Sequence, residues 1–271
     1  MAKRFEGQVA WVTGGGSGIG KALALELASQ GARVAVSGRR VDRLHEVVEA
    51  IEAGGGEGFA VACDVTDGAS VRGAVASIVE RWGKLDVAVA NAGFGVNGRV
   101  EQVPLEDWRR QLDINVVGVV ATAQAALPEL RKTKGRMVLV ASVMAMLCTP
   151  GTSAYSASKF AVRAIGLTLS QELHGSGVSC TTIHPGFVES EISLVDNKGE
   201  FHSDRKDTRS QQFMWRADDA ARVMARAIHR RKREFVFTWH GRFGAFVGMH
   251  MPSLVHLVLT RGGARSRPPK S

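Results

Sequence analysis

Thr13–Gly20 reads TGGGSGIG and follows directly on the apolar run Val9–Thr13, VAWVT. The run is rich in β-branched and aromatic residues, as a strand requires. The glycines then make a tight turn ahead of a helical pattern over residues 18–30. Strand, glycine turn and helix in this order bring free helix N–H groups and the positive end of a helix dipole up to bare backbone. Gly14, Gly18 and Gly20 permit close approach by a pyrophosphate, so the stretch is expected to bind a dinucleotide.

Outward from this turn the pattern repeats. Strands are expected at Arg33–Ser37, Gly58–Cys63, Leu85–Ala90, Met137–Ala141, Val178–His184 and Phe235–Thr238. Helical patterns lie between them near 18–30, 41–53, 68–82, 105–131, 154–174 and 217–231. The strands are almost continuously apolar, which suits a parallel sheet covered on both faces. The fold expected is α/β: a single doubly wound Rossmann-type domain over residues 1–238 with a parallel seven-stranded sheet. Residues 187–215 break the rhythm just past a strand end, where open sheets bind ligands, and are expected to form a substrate lid.

Composition supports one sizeable core, with hydrophobic residues at 45% of 271. Cys63, Cys148 and Cys180 are odd in number and widely spaced, without a zinc-type pair. They read as reduced, buried thiols of a cytosolic protein, and no metal site is expected. The N-terminus lacks a signal peptide pattern, and no apolar stretch is long enough for a transmembrane helix. The net charge of +9 is unevenly placed: residues 1–214 hold 23 Lys/Arg against 23 Asp/Glu, and residues 215–271 hold 12 against 3. A basic overall balance therefore describes one end of the chain and not its body.

Tyr155 is the only tyrosine, and Lys159 follows it by one helical turn, so the two share a helix face. A nearby ammonium favours the phenolate and is expected to bring the phenol toward the working range of an acid–base group. Ser142 stands at the end of the strand-like run Met137–Ala141, where its hydroxyl can meet the same substrate oxygen. A phosphate loop with a Ser–Tyr–Lys group points to hydride transfer with a nicotinamide cofactor. After the second strand stand Arg39 and Arg40, where an NAD site usually places an acid for the ribose 2′-hydroxyl. A guanidinium fits a 2′-phosphate, so NADP(H) is expected over NAD(H), unless both are solvated loop charges. Asp64 either accepts from an adenine amino group or caps the next turn.

With these pieces in place, the chain resembles the short-chain dehydrogenase/reductase family over about residues 5–238. Thr13–Gly20 matches its TGxxxGxG loop, and Asn91-Ala92-Gly93 its NNAG motif, with Ala90 in the first position. The resemblance implies that Asn115 is the active-site asparagine, that Ser142, Tyr155 and Lys159 are catalytic, and that Lys159 also binds the nicotinamide ribose. It implies that Pro185-Gly186 closes over the nicotinamide and that Ser190 contacts the carboxamide. Ile19, Val65 and Val188 complete the cofactor set. The residue before the second loop glycine, sometimes basic in NADP enzymes, is Ser17 here, so the NADP expectation rests mainly on Arg39. Members mostly form dimers or tetramers, which here implies a homo-oligomer through the helices at 105–131 and 154–174.

The expected activity is NADP(H)-dependent oxidation or reduction of a hydrophobic alcohol or ketone. The alternative is a catalytically weak, cofactor-binding regulator or scaffold. Phe94, Met144, Met146, Leu147, Phe187, Leu194, Phe213 and Met214 are the candidate substrate wall, with methionines giving an adaptable surface. His184 reads as structural. Residues 239–260 are apolar but interrupted by Gly, Pro and His, and a basic tail over 261–271 is expected to be disordered. With the basic run His229–Glu234, this extension suggests either peripheral attachment to an anionic membrane or packing on the lid or a partner subunit. Nucleic-acid binding is not expected, since the aromatics there do not interleave with the basic residues.

Overall fold

Seven parallel strands form the sheet: β1 (Val9–Thr13), β2 (Arg33–Gly38), β3 (Glu57–Ala62), β4 (Val87–Ala90), β5 (Arg136–Val140), β6 (Ser179–His184) and β7 (Glu234–Val236). Their order is β3-β2-β1-β4-β5-β6-β7. The structure is a computed structural model and describes residues 3–205, 207, 209 and 211–261.

Alternation along each strand feeds two cores. Ala10 and Val12 of β1, with Val34 and Val36 of β2, meet Leu23 and Leu27 of α1 (Gly18–Ser29), Val47 of α2 (Val41–Ala53) and Met224 of α7 (Ala217–His229). Val9 and Trp11 point the other way, onto Ile78 of α3 (Gly68–Trp82), Leu130 of α5 (Gly118–Thr133) and Val162 of α6 (Ser153–Glu172). Both sheet faces are covered, which is why the strands read as continuous apolar runs.

The strand order reverses between β1 and β4, and the connections that leave the carboxyl ends of these two strands run in opposite directions, which opens a cleft. A clasp joins them there. Thr13 Oγ1 accepts from the backbone N–H groups of Asn91 (3.0 Å) and Ala92 (3.1 Å). Asn91 Nδ2 donates to the carbonyls of Thr13 (2.9 Å) and Gly14 (3.2 Å).

The helix expected at 105–131 is interrupted. α4 (Leu105–Leu112) runs through a π turn (Asp113–Val117) into α5. The wide turn carries Asn115, whose amide reaches Phe94 and Ser158, a local demand that hydrophobic periodicity does not encode.

Two further expectations are revised. Cys148 is exposed, unlike Cys63 and Cys180. The basic run His229–Glu234 lies at the amino end of β7, away from the extension. There Arg231, in the left-handed region at φ 53°, donates to the carbonyls of Lys134 (2.7 Å) and Gly177 (2.9 Å), tying the starts of β5 and β6. Residues 239–261 form two helices, α8 (Trp239–His250) and α9 (Pro252–Arg261). The tail beyond Arg261 lies outside the described residues.

Thr13→Val preserves shape but leaves two partly buried N–H groups without their acceptor. It should lower the unfolding free energy by about 2 kcal/mol, and Thr13→Ser by less than about 1 kcal/mol, measured by urea denaturation.

Candidate active site

The cleft at the switch point has a volume of about 570 Å³. Its floor is the glycine turn. Gly14 sits at φ +62°, and a Cβ there would lie 2.8 Å from Ala92 Cα; a Cβ on Gly20 would lie 2.3 Å from the Gly14 carbonyl. The turn therefore closes only with bare backbone, and the N-terminus of α1 opens into the cleft beside it. This cradle fits a pyrophosphate.

All the residues expected around a cofactor line this one cleft. The floor is Gly14, Ser17, Gly18, Ile19 and Gly20. Arg39, Arg40, Asp64 and Val65 form one end, and Asn91, Ala92 and Gly93 the back. Pro185, Gly186, Val188 and Ser190 form the far side. Arg40 crosses the mouth: its Nη2 donates to Ser17 Oγ (3.0 Å) and to Glu191 Oε2 (2.8 Å), and the guanidinium lies over the Phe201 ring. Asp64 Oδ1 accepts from Thr66 N (2.9 Å) and Thr66 Oγ1 (2.8 Å), so it caps its own turn while also facing the cleft. Burial disfavours its charge, but these bonds and nearby Arg39 outweigh that and hold the carboxyl below its ordinary value.

Ser142, Tyr155 and Lys159 share one wall. Ser142 closes β5 and caps the short 3-10 turn Val143–Ala145, its Oγ accepting from Met144 N at 3.2 Å. Tyr155 is on the first turn of α6 and half-buried. Lys159, one turn later, is 5% exposed; its Nζ donates to the Val140 carbonyl (3.1 Å) and lies 5.7 Å from the Tyr155 ring centroid. Burial pushes the lysine down to about 8. The expected lowering of the phenol is not found in this arrangement. Burial raises it above its ordinary value, and what opposes that is the Ser142 hydroxyl and the Arg209 charge. The ammonium is turned toward Val140 and is itself weakened by desolvation.

Asn115 stands behind the wall. Its Oδ1 accepts from Phe94 N (3.1 Å), and its Nδ2 donates to Phe94 O (2.9 Å) and Ser158 Oγ (3.1 Å). His184 is fully buried, with Nδ1 3.2 Å from the Ser142 carbonyl and Nε2 3.1 Å from Glu234 Oε1. Glu234 is held down at about 2, first by the His184 hydrogen bond and further by Arg163. His184 thus anchors the backbone of Ser142 to β7.

Phe94 lines the cleft, but Met144, Met146, Leu147, Phe187, Leu194, Phe213 and Met214 do not. Met146 and Leu147 are covered by α8: a Cβ on Gly248 would lie 2.2 Å from the Met146 carbonyl. Phe187 stacks on His240, and Phe213 packs on Trp239 and His240. The cleft is instead closed by Ile192, Val195, Phe201 and Arg209. Val195 and Phe201 pair across a turn whose Gly199 has φ +84°, and the spacing of Asp196 and Gly199 was a readable hairpin signal. Arg209 Nη1 donates to the Val188 carbonyl (3.0 Å) and Nη2 to the Ser190 carbonyl (3.2 Å); nothing in the sequence marked it. Asp196, Glu200 and His202 gather at the same turn, but Asp196 is engaged there with Lys198 N, Glu200 N and His202.

A family model described as short chain dehydrogenase matches residues 8–200. An uncharacterized oxidoreductase of Myxococcus xanthus is 34% identical over 233 residues, covering 86% of this chain and 88% of that protein. A short chain dehydrogenase from Burkholderia cenocepacia, solved in complex with NADP, is similar with TM-score 0.75 and 32% identity over 85% of this chain and 94% of its own. A short chain dehydrogenase/reductase from Burkholderia phymatum, solved in complex with NAD, reaches TM-score 0.79 at 27% identity and covers 99% of both chains.

The Lys159 ammonium has a folded pKa near 8 and an unfolded value of 10.5. Between these values the unfolded chain binds more protons, so this group makes stability rise with pH. Lys159→Met removes that contribution. The stability of wild type relative to the variant should therefore rise by about 2 kcal/mol between about pH 7.5 and about pH 10, read from urea midpoints.

Proposed function

Because this chain belongs to the short chain dehydrogenase family and is an oxidoreductase, we propose that it moves hydride between NADP(H) and the carbonyl or carbinol carbon of a hydrophobic ketone or alcohol. The observation that carries this reading is the meeting of Ser142, Tyr155 and Lys159 on one wall of the cleft whose floor is the glycine turn.

When bound, the nicotinamide supplies or accepts the hydride. The chain's own residues do the rest. The α1 N-terminus and the glycine turn would hold the pyrophosphate. Ser142 Oγ already accepts from Met144 N, which leaves its own hydrogen to donate to the substrate oxygen as negative charge develops there. Tyr155 gives that oxygen a proton in reduction and takes one in oxidation. A phenol raised by burial is a weak acid until the oxygen opposite it gains charge, so proton donation is tied to substrate. Lys159, near 8, sits close to neutrality and can exchange a proton while holding the ribose. Asn115 fixes Phe94 and Ser158 around this path.

The preference for NADP(H) rests on Arg39 and Arg40, since solved relatives carry either cofactor. Arg40 is committed to Ser17 and Glu191, which makes Arg39 the principal partner for a 2′-phosphate. Assembly as a homo-dimer or tetramer is supported by Val117 and Phe160, 53% and 41% exposed on the π turn and α6.

Tyr155→Phe should bind NADPH as wild type does while turnover of a carbonyl panel falls by about 10²-fold or more; retention of over a tenth of the rate removes the assignment. Arg39→Asp should weaken NADPH by about 30-fold or more and NADH by less than about threefold, measured by cofactor fluorescence. Wild-type protein that binds NADH as tightly as NADPH refutes the preference.

A further inference from the structure

α8 has two faces of opposite chemistry. Gly241, Ala245 and Gly248 form the inner face, which packs on the turn after Ser142; a Cβ on Gly241 would lie 2.9 Å from Val143 Cγ2. Trp239, Phe243 and Phe246 lie on the outer face, 64%, 68% and 56% exposed. α9 also exposes apolar side chains, Leu254, Leu257 and Val258, and has no buried residue. A helix of this length is marginal in water by itself, and so much exposed aromatic and aliphatic surface marks a docking site.

Length decides how a bilayer would meet it. The helices have 12 and 10 residues and are bent by 109°. At 1.5 Å per residue they extend about 18 and 15 Å, against a hydrocarbon core of about 30 Å. Neither crosses; both can lie in the interfacial plane.

Charge decides the occupant. From Trp239 to Ser271 the chain carries Arg242, Arg261, Arg265, Arg267 and Lys270 and no Asp or Glu. A second copy docked about a two-fold axis would set Arg242 and Arg261 of α8 and α9 against their own copies, cation to cation, with no carboxylate on either helix to offset them. An anionic lipid surface complements it, and each Lys or Arg near such a surface adds about 1 kcal/mol. We propose that α8 and α9 dock in the plane of an anionic bilayer interface, with Trp239, Phe243, Phe246, Leu254, Leu257 and Val258 immersed at the headgroup boundary. This proposal is read from binding and does not depend on the oxidoreductase reading.

The test uses full-length protein and vesicles of phosphatidylcholine alone or with roughly one quarter phosphatidylglycerol, sedimented at about 0.05 M and about 0.5 M NaCl. Binding should require the anionic lipid, weaken in high salt, and fall about tenfold or more in F243S/F246S. Both phenylalanines are exposed, so the variant is expected to fold. A second measurement does not rely on F243S/F246S. Trp239 is the one tryptophan of the helix pair, and brominated phosphatidylglycerol should quench its fluorescence, a signal absent in W239F. No binding to anionic vesicles at low salt overturns the proposal. So does binding that F243S/F246S leaves intact and only removal of residues 262–271 abolishes. An oligomer that F243S/F246S dissociates, without vesicle binding by wild type, assigns the face to a second copy and overturns it equally.

Discussion

The Thr13 hydroxyl is the joint on which the molecule turns. It accepts two backbone N–H groups from the end of β4, where the sheet changes direction. The Asn91 amide returns the bond to the carbonyls of Thr13 and Gly14. These bonds hold the carboxyl ends of β1 and β4 together where the chain leaves them in opposite directions, and they fix the glycine turn that closes only with bare backbone. The cleft, the exposed N-terminus of α1 and the position of Gly93 before Asn115 all inherit their geometry from this joint. Polar bonds can carry the task because the surrounding sheet is dry on both faces, where an unmet donor is costly.

The second tier of order lies behind Ser142. Its side chain is aimed by Met144 N, and its carbonyl is next to His184, which reaches Glu234 on β7. Lys159 is anchored to Val140 two residues before Ser142. Serine and lysine are therefore referenced to the same strand, and Tyr155 to the helix that carries Lys159. Relative motion of β5 and α6 is the coordinate that would misalign the group.

Much of this was legible in the sequence because it rests on short-range rules. The runs from Val9 to Val236 alternate with helical patterns, and the spacing of Tyr155 and Lys159 identifies a shared helix face. What was not legible depends on contacts between distant segments. The π turn exists to bury the Asn115 amide against Phe94, which periodicity cannot register. Met146 and Leu147 resemble cleft lining until α8, almost a hundred residues later, covers them. Phe187 and Phe213 are taken up by His240 and Trp239 in the same way. Arg209 enters from an irregular segment whose local composition gives no signal. The direction of the phenol's shift failed for a related reason: spacing shows that an ammonium is near, but burial and the pull of the Val140 carbonyl decide how much it acts.

The contact between Gly248 and the Met146 carbonyl has a mechanical consequence. Two elements that touch through backbone have no compliant layer of side chains between them, and packed interiors transmit small displacements instead of absorbing them. α8 therefore bears directly on the residues that follow the turn capped by Ser142. A rotation too slight to expose new surface would still be passed to the hydroxyl that faces the cleft. The resting position of that hydroxyl is set jointly by the sheet beneath it and by whatever bears on the outer side of α8.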